Sequence, residues 1–94
     1  MNARERVAWN LRRIRVARGL AQEVLAVDAE VDRTYVSRLE RNLENPTVAV
    51  LERLAAALEV EIVEFFHPPA PGARRPSPLP SGRRSTSKRP KRTR

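Results

Sequence analysis

Three features of the sequence predict an all-α fold: apolar residues recurring three and four positions apart, capping or breaking residues between those stripes, and no run that alternates apolar with polar as a strand would. Five helical segments fit into residues 1–67, and a chain of different character follows.

Asn2 is placed to cap the first helix, whose positions Val7, Leu11 and Ile14 share one face and which Gly19 stops. Trp9 and Val16 fall on the opposite side, where they read as exposed or, as the alternative, in contact with a partner. The second helix runs from Gln22 to Ala29 with Leu25 and Ala26 inward. Asp32 is the expected N-cap of the third, and Asn42 stands where a left-handed residue would end it. Pro46 then breaks the chain, and Thr47 can cap a fourth helix with a broad stripe of Val50, Leu51, Leu54, Ala55 and Leu58. The fifth segment, carrying Val60, Ile62, Val63, Phe65 and Phe66, is too short to be stable alone and must dock on something.

Composition changes abruptly at Pro68. The last 27 residues hold seven prolines, six Ser or Thr and nine bases with no acid, and Leu79 is their one large apolar side chain. Such a segment buries too little surface to offset its ordering entropy, so residues 68–94 are expected to be a disordered basic tail behind a domain at 1–67. The net charge of +8 resides in that tail, because residues 1–67 carry ten bases against eleven acids. Within the domain the charge is also uneven. The first nineteen residues hold six arginines against Glu5, whereas 43–67 hold five glutamates against Arg53. A basic front and an acidic back polarise the domain towards a polyanion.

Catalysis is excluded on inventory: one His, no Cys, no glycine-rich loop, and no nucleophile with a base at useful spacing. Glu59, Glu61 and Glu64 match no calcium loop, and neither a metal nor a cofactor is expected. The absence of cysteine, of a signal peptide and of a membrane-spanning apolar run points to the cytoplasm.

The informative stretch is Val31–Thr47. Taking Arg33 as zero and about 100° per residue, Ser37 lies near 40°, Arg41 near 80°, Thr34 near 100° and Arg38 near 140°, whereas Tyr35, Leu39 and Val36 fall near 200°, 240° and 300°. One arc is donors and the other is core. Arginine forks make paired hydrogen bonds to guanine or phosphate, and hydroxyls suit base edges or backbone, so the arc fits a major groove. A merely solvated face is the competing reading.

The segment QEVLAVDAEVDRTYVSRLER resembles the helix-turn-helix of the lambda-repressor-like, or XRE, family, with the likeness running from Leu11 to about Phe66. The shared features are Gly19-Leu20 closing an Arg-rich first helix, Gln22 and Ala26 in the second, Val36 and Leu39 in the third, then Glu-Arg, Asn-Pro-Thr and a Leu-rich fourth helix. The wording DRTYVSRLERN is similar to the controller proteins of restriction-modification systems. The resemblance implies a five-helix DNA-binding domain in which Gln22, Arg33, Thr34, Ser37 and Arg38 face DNA, with Arg33, Thr34 and Arg38 as base readers. Tyr35 and Arg41 would meet phosphate. Arg15 and Glu40 match a buried ion pair between the first and third helices. Two positions depart from the family pattern: Ala21 replaces the usual Ser or Thr cap, and Glu30 replaces the usual Gly of the turn.

These observations lead to a sequence-specific transcriptional regulator, a repressor or controller, binding a near-palindromic operator in double-stranded DNA as a homodimer. Val60, Ile62, Phe65 and Phe66 are the expected dimer contacts. RNA polymerase is a candidate further partner. The alternative is an antitoxin-type module that neutralises a toxin-like protein and binds DNA secondarily.

Overall fold

A computed structural model of the protein describes residues 1–73. The expectation of disorder for 74–94 lies outside the described residues. Four α-helices, α1 (Ala3–Ala17), α2 (Gln22–Ala29), α3 (Arg33–Glu40) and α4 (Val48–Leu58), are followed by a 3-10 helix, Ile62–Phe66. The described residues contain no strand.

Two of the helix starts are closed by side chains. The Glu5 N–H donates to Asn2 Oδ1 at 2.9 Å and the Asn2 N–H donates to Glu5 Oε1 at 2.8 Å, a reciprocal box that satisfies two orphan donors. At α4 the Val50 N–H donates to Thr47 Oγ1 at 3.1 Å. The start of α2 has no side-chain cap, since Ala21 offers no acceptor. Asp32 holds the N-cap position of α3, but its carboxylate makes no capping bond there.

The helix ends share one solution. Gly19, Glu30, Asn42 and Glu59 all take left-handed backbone, with φ of 70° at the glycine and 62° at the other three. In each case the next residue donates its N–H back across the last turn: Leu20 to Arg15 O, Val31 to Ala26 O, Leu43 to Arg38 O and Val60 to Ala55 O, at 2.9–3.1 Å. A side chain in this region costs about 1–2 kcal/mol relative to ordinary backbone. Glu30→Gly should therefore raise stability, by up to about 1 kcal/mol once glycine's greater unfolded-state entropy is subtracted. A urea melt that shifted to lower midpoint would contradict this.

The expected fifth helix is a single 3-10 element. Glu61 before it is extended, and His67 after it is extended at φ −69° and ψ 138° because it precedes Pro68. Between those two points only five residues remain, too few to nucleate an α-helix, and the tighter turn serves.

Leu11, Leu20, Leu25, Leu39, Leu54, Leu58 and Phe65 are all fully buried and meet in one core. α1 packs against the 3-10 helix and α3, and α2 packs against α3 and α4. Trp9 and Val16, expected to be exposed, are half-buried. Among the described residues, no helix is long and apolar enough to cross a membrane.

Candidate nucleic-acid interface

α3 is split as its sequence requires. Val36 and Leu39 are buried against α1 and α2, while Arg33 and Thr34 stand exposed. Ser37, Arg38 and Tyr35 are half-buried, and Arg41, just past the helix end, is exposed.

The rotation of α3 is set by a buried polar cluster. Arg15 Nε donates to Glu40 Oε2 at 2.6 Å and Arg15 Nη2 to Glu40 Oε1 at 3.0 Å, a bidentate pair. Arg15 Nη1 also donates to the Leu20 carbonyl at 2.6 Å. Both side chains are almost completely removed from solvent. Gln22 joins the cluster, its Nε2 donating to Glu40 Oε1 at 3.1 Å. The amide of Gln22 is thus drawn inward, so this residue links α2 to α3 as well as standing at the edge of the exposed face.

The donors of the outer arc have loose or partial partners. Arg33 Nε lies 3.7 Å from Glu23 Oε1, with both side chains mostly exposed. Arg41 Nε reaches the Ser37 carbonyl at 3.4 Å. Arg38 is held more firmly: its Nε donates to Glu44 Oε2 at 2.8 Å and its Nη2 to the Leu43 carbonyl at 3.2 Å. Burial, together with the negative charge of Glu44, raises the pKa of the Tyr35 phenol above its ordinary value, against a smaller opposing effect of Arg53. Tyr35 is therefore a neutral hydroxyl at physiological pH and can donate a hydrogen bond to a phosphate.

Part of the basic charge at the front of the chain is engaged by other groups of the same molecule. Arg15 is buried with Glu40, Arg18 Nη1 pairs with Glu59 at 3.1 Å, and Arg6 Nη1 donates to the Phe66 carbonyl at 3.2 Å. Because Arg15 and Arg18 are each matched by a glutamate, the polarity inferred from composition is weaker than a count of arginines suggests.

The expected dimer contacts divide. Val60, Ile62 and Phe66 are half-buried and Val63 beside them is 54% exposed, but Phe65 is fully buried in its own subunit. Phe65 has no surface to offer a second copy, which corrects its place among the interface residues. Its ring completes the core because the five-residue helix turns that side inward. Asn10, which sequence reasoning passed over, anchors the same element: its Nδ2 lies 2.9, 3.0 and 2.7 Å from the carbonyls of Arg6, Phe65 and His67. The signal was available, since Asn10 falls on the same helical face as Val7 and Ile14, where a polar residue must find a buried partner. Glu44 was also missed. It lies in a loop, and only the folded chain brings it beside Arg38.

Comparison with known proteins agrees with this architecture. Residues 11–65 match the HTH_3 family model, described as helix-turn-helix. A Neisseria meningitidis protein named as a hypothetical transcription factor is 43% identical over 63 residues, an overlap of 67% of this chain and 59% of that relative's length. The crystal structure of the restriction-modification controller protein C.AhdI from Aeromonas hydrophila superposes with a TM-score of 0.65 at 38% identity, covering 67% of this chain and 96% of that one. The controller protein C.Esp1396I, crystallised as a tetramer with its natural 35 base-pair operator, gives a TM-score of 0.65 at 39% identity over 70% of this chain and 87% of that one.

Proposed function

The chain belongs to the HTH_3 helix-turn-helix family, and from that membership we propose that it is a sequence-specific transcriptional regulator that reads operator DNA with α3. The observation that carries this reading is the pairing of a rigidly buried inner face with an outer arc of Arg33, Thr34, Ser37 and Arg38. The bidentate Arg15–Glu40 pair ties α3 to α1 and opposes rotation of the helix, so those four side chains are presented together on one side of it. Arg33 and Arg38 supply forks for guanine, and Thr34 and Ser37 supply hydroxyls for base edges or backbone. Tyr35 and Arg41 flank the arc and contact phosphates, which position the helix without reading sequence.

The regulator acts as a homodimer through Val60, Ile62 and Phe66, with the neighbouring exposed Val63 extending the apolar patch. Two α3 helices related by a two-fold axis would enter successive major grooves about 34–36 Å apart, and the operator would be near-palindromic for that reason. The nine bases beyond Pro68, with no acid among them, supply sequence-independent attraction to the phosphate backbone. The relative C.Esp1396I, crystallised on its operator, supports DNA as the partner. The site of action is the cytoplasm.

Selection of duplexes from a random-sequence library by the purified full chain tests the proposal. Enrichment of a two-fold symmetric site is the expected result. Recovery of unrelated fragments with no shared sequence would overturn it, and would leave non-specific attraction through the basic segment as the whole of the DNA binding.

A further inference from the structure

We infer that Glu44 is a positioning residue for DNA recognition: it grips one edge of the Arg38 guanidinium and leaves the other edge presented as a preset fork for a guanine. This rests on the proposal that α3 reads DNA. The geometry carries the rest.

Arg38 Nε and Nη2 carry N–H groups that point the same way, and the loop after α3 accepts from both, through Glu44 Oε2 at 2.8 Å and the Leu43 carbonyl at 3.2 Å. A guanidinium has five N–H donors. Three therefore remain, and among them are one on each terminal nitrogen at the outer end, the pair whose spacing matches guanine O6 and N7. The grip is referenced to the helix itself. The Leu43 N–H donates to Arg38 O at 2.9 Å, Asn42 holds the left-handed turn between them, and Arg4 Nε donates to Asn42 Oδ1 at 3.1 Å. The same residue thus supplies the backbone anchor of the loop and the side chain that the loop holds.

The carboxylate has a second effect. A phosphate approaching Arg38 meets the negative charge of Glu44, whereas the uncharged edge of a guanine does not suffer that repulsion to the same degree. The contact therefore favours base over backbone and raises specificity. Arg33 and Arg41 have no comparable hold, with contacts of 3.7 and 3.4 Å.

The test uses the full chain, the duplex that the wild-type protein recovers from a random library, and the same duplex scrambled. Glu44→Ala should weaken binding to the recovered duplex about tenfold and leave binding to the scrambled one equal or tighter. Glu44→Gln keeps an acceptor for Nε without the charge, so it should hold the recovered duplex near wild-type affinity while tightening on the scrambled one. In an Arg38→Ala background, Glu44→Ala should produce no further loss on the recovered duplex. Circular dichroism establishes that each variant is folded. Tighter binding of Glu44→Ala to both duplexes would make Glu44 a mere competitor for Arg38 and overturn the inference, as would no change, or a loss that persists without Arg38. A wild-type protein with no preference between the duplexes would remove the reading of α3 itself, and this inference with it.

Discussion

Glu40→Ala should destabilise the protein by about 3–5 kcal/mol, because it leaves the Arg15 guanidinium charged and buried with one carbonyl as its remaining partner. The side chain of Arg15 is 4% exposed and that of Glu40 0%, so water cannot take the carboxylate's place without opening the junction between α1 and α3. Gln22 loses its acceptor at the same time. The magnitude is the cost of breaking the pair, which differs from the net worth of having it. Burying two charges is expensive, and an apolar pair of similar volume at Arg15 and Glu40 would be far closer to neutral than either single alanine. A denaturant melt of Glu40→Ala reads the effect directly. A loss below about 1 kcal/mol, the range of exposed ion pairs, would mean that solvent reaches the cluster.

The second large effect is expected at Phe65. Its ring is fully buried in the core, and its carbonyl accepts from Asn10 at 3.0 Å, so the residue ties the last element to α1 through both side chain and backbone. Truncating a buried phenylalanine costs about 3–5 kcal/mol, and a core of this size supplies little more than that in net stability. Phe65→Ala should therefore unfold much of the protein near room temperature, visible as lost helical ellipticity. Had Phe65 been an interface residue, the same substitution would give a folded monomer. Phe66, half-buried, is the position at which a folded monomer is the expected outcome.

The sequence made legible those parts of the fold that obey local rules. The α1 cap at Asn2, the α4 cap at Thr47, the left-handed Gly19 and Asn42, and the inward faces of α2 and α4 all depend on neighbours within one or two turns. Glu30 could be flagged because it stands at a turn where family resemblance expects Gly, but Glu59 gave no such sign. It adopts left-handed backbone because α4 must end there for Val60 to turn back, a requirement of the tertiary fold that overrides the residue's preference. The 3-10 geometry of 62–66 depends on Pro68 from one side and on that turn from the other. An apolar count could show that this segment docks, but only packing decided that Phe65 is fully buried while Phe66 rests half-buried at the edge of the core.

The candidate site divides in the same way. Arg33, Thr34, Ser37 and Arg38 could be assigned to one arc from helical angle alone, since an eight-residue helix with Val36 and Leu39 buried has one free side. What angle could not supply was the surroundings of each donor. Gln22 turned towards Glu40, and Arg38 found Glu44 across six residues of chain. Those contacts connect a helix to a different helix or to a loop, and no periodicity encodes them.

Recognition of base edges by α3 is tested by the affinity of Arg33→Ala for the duplex recovered by the wild-type protein and for its scrambled counterpart, at one fixed salt concentration. Arg33 is exposed and only loosely paired, so the substitution should leave the fold intact. If α3 reads base edges, binding to the recovered duplex should weaken by about 1–3 kcal/mol, binding to the scrambled duplex should change much less, and preference should relax at one base pair in each half-site. Equal losses on the two duplexes would show that Arg33 contributes charge alone, and would contradict sequence recognition by this helix.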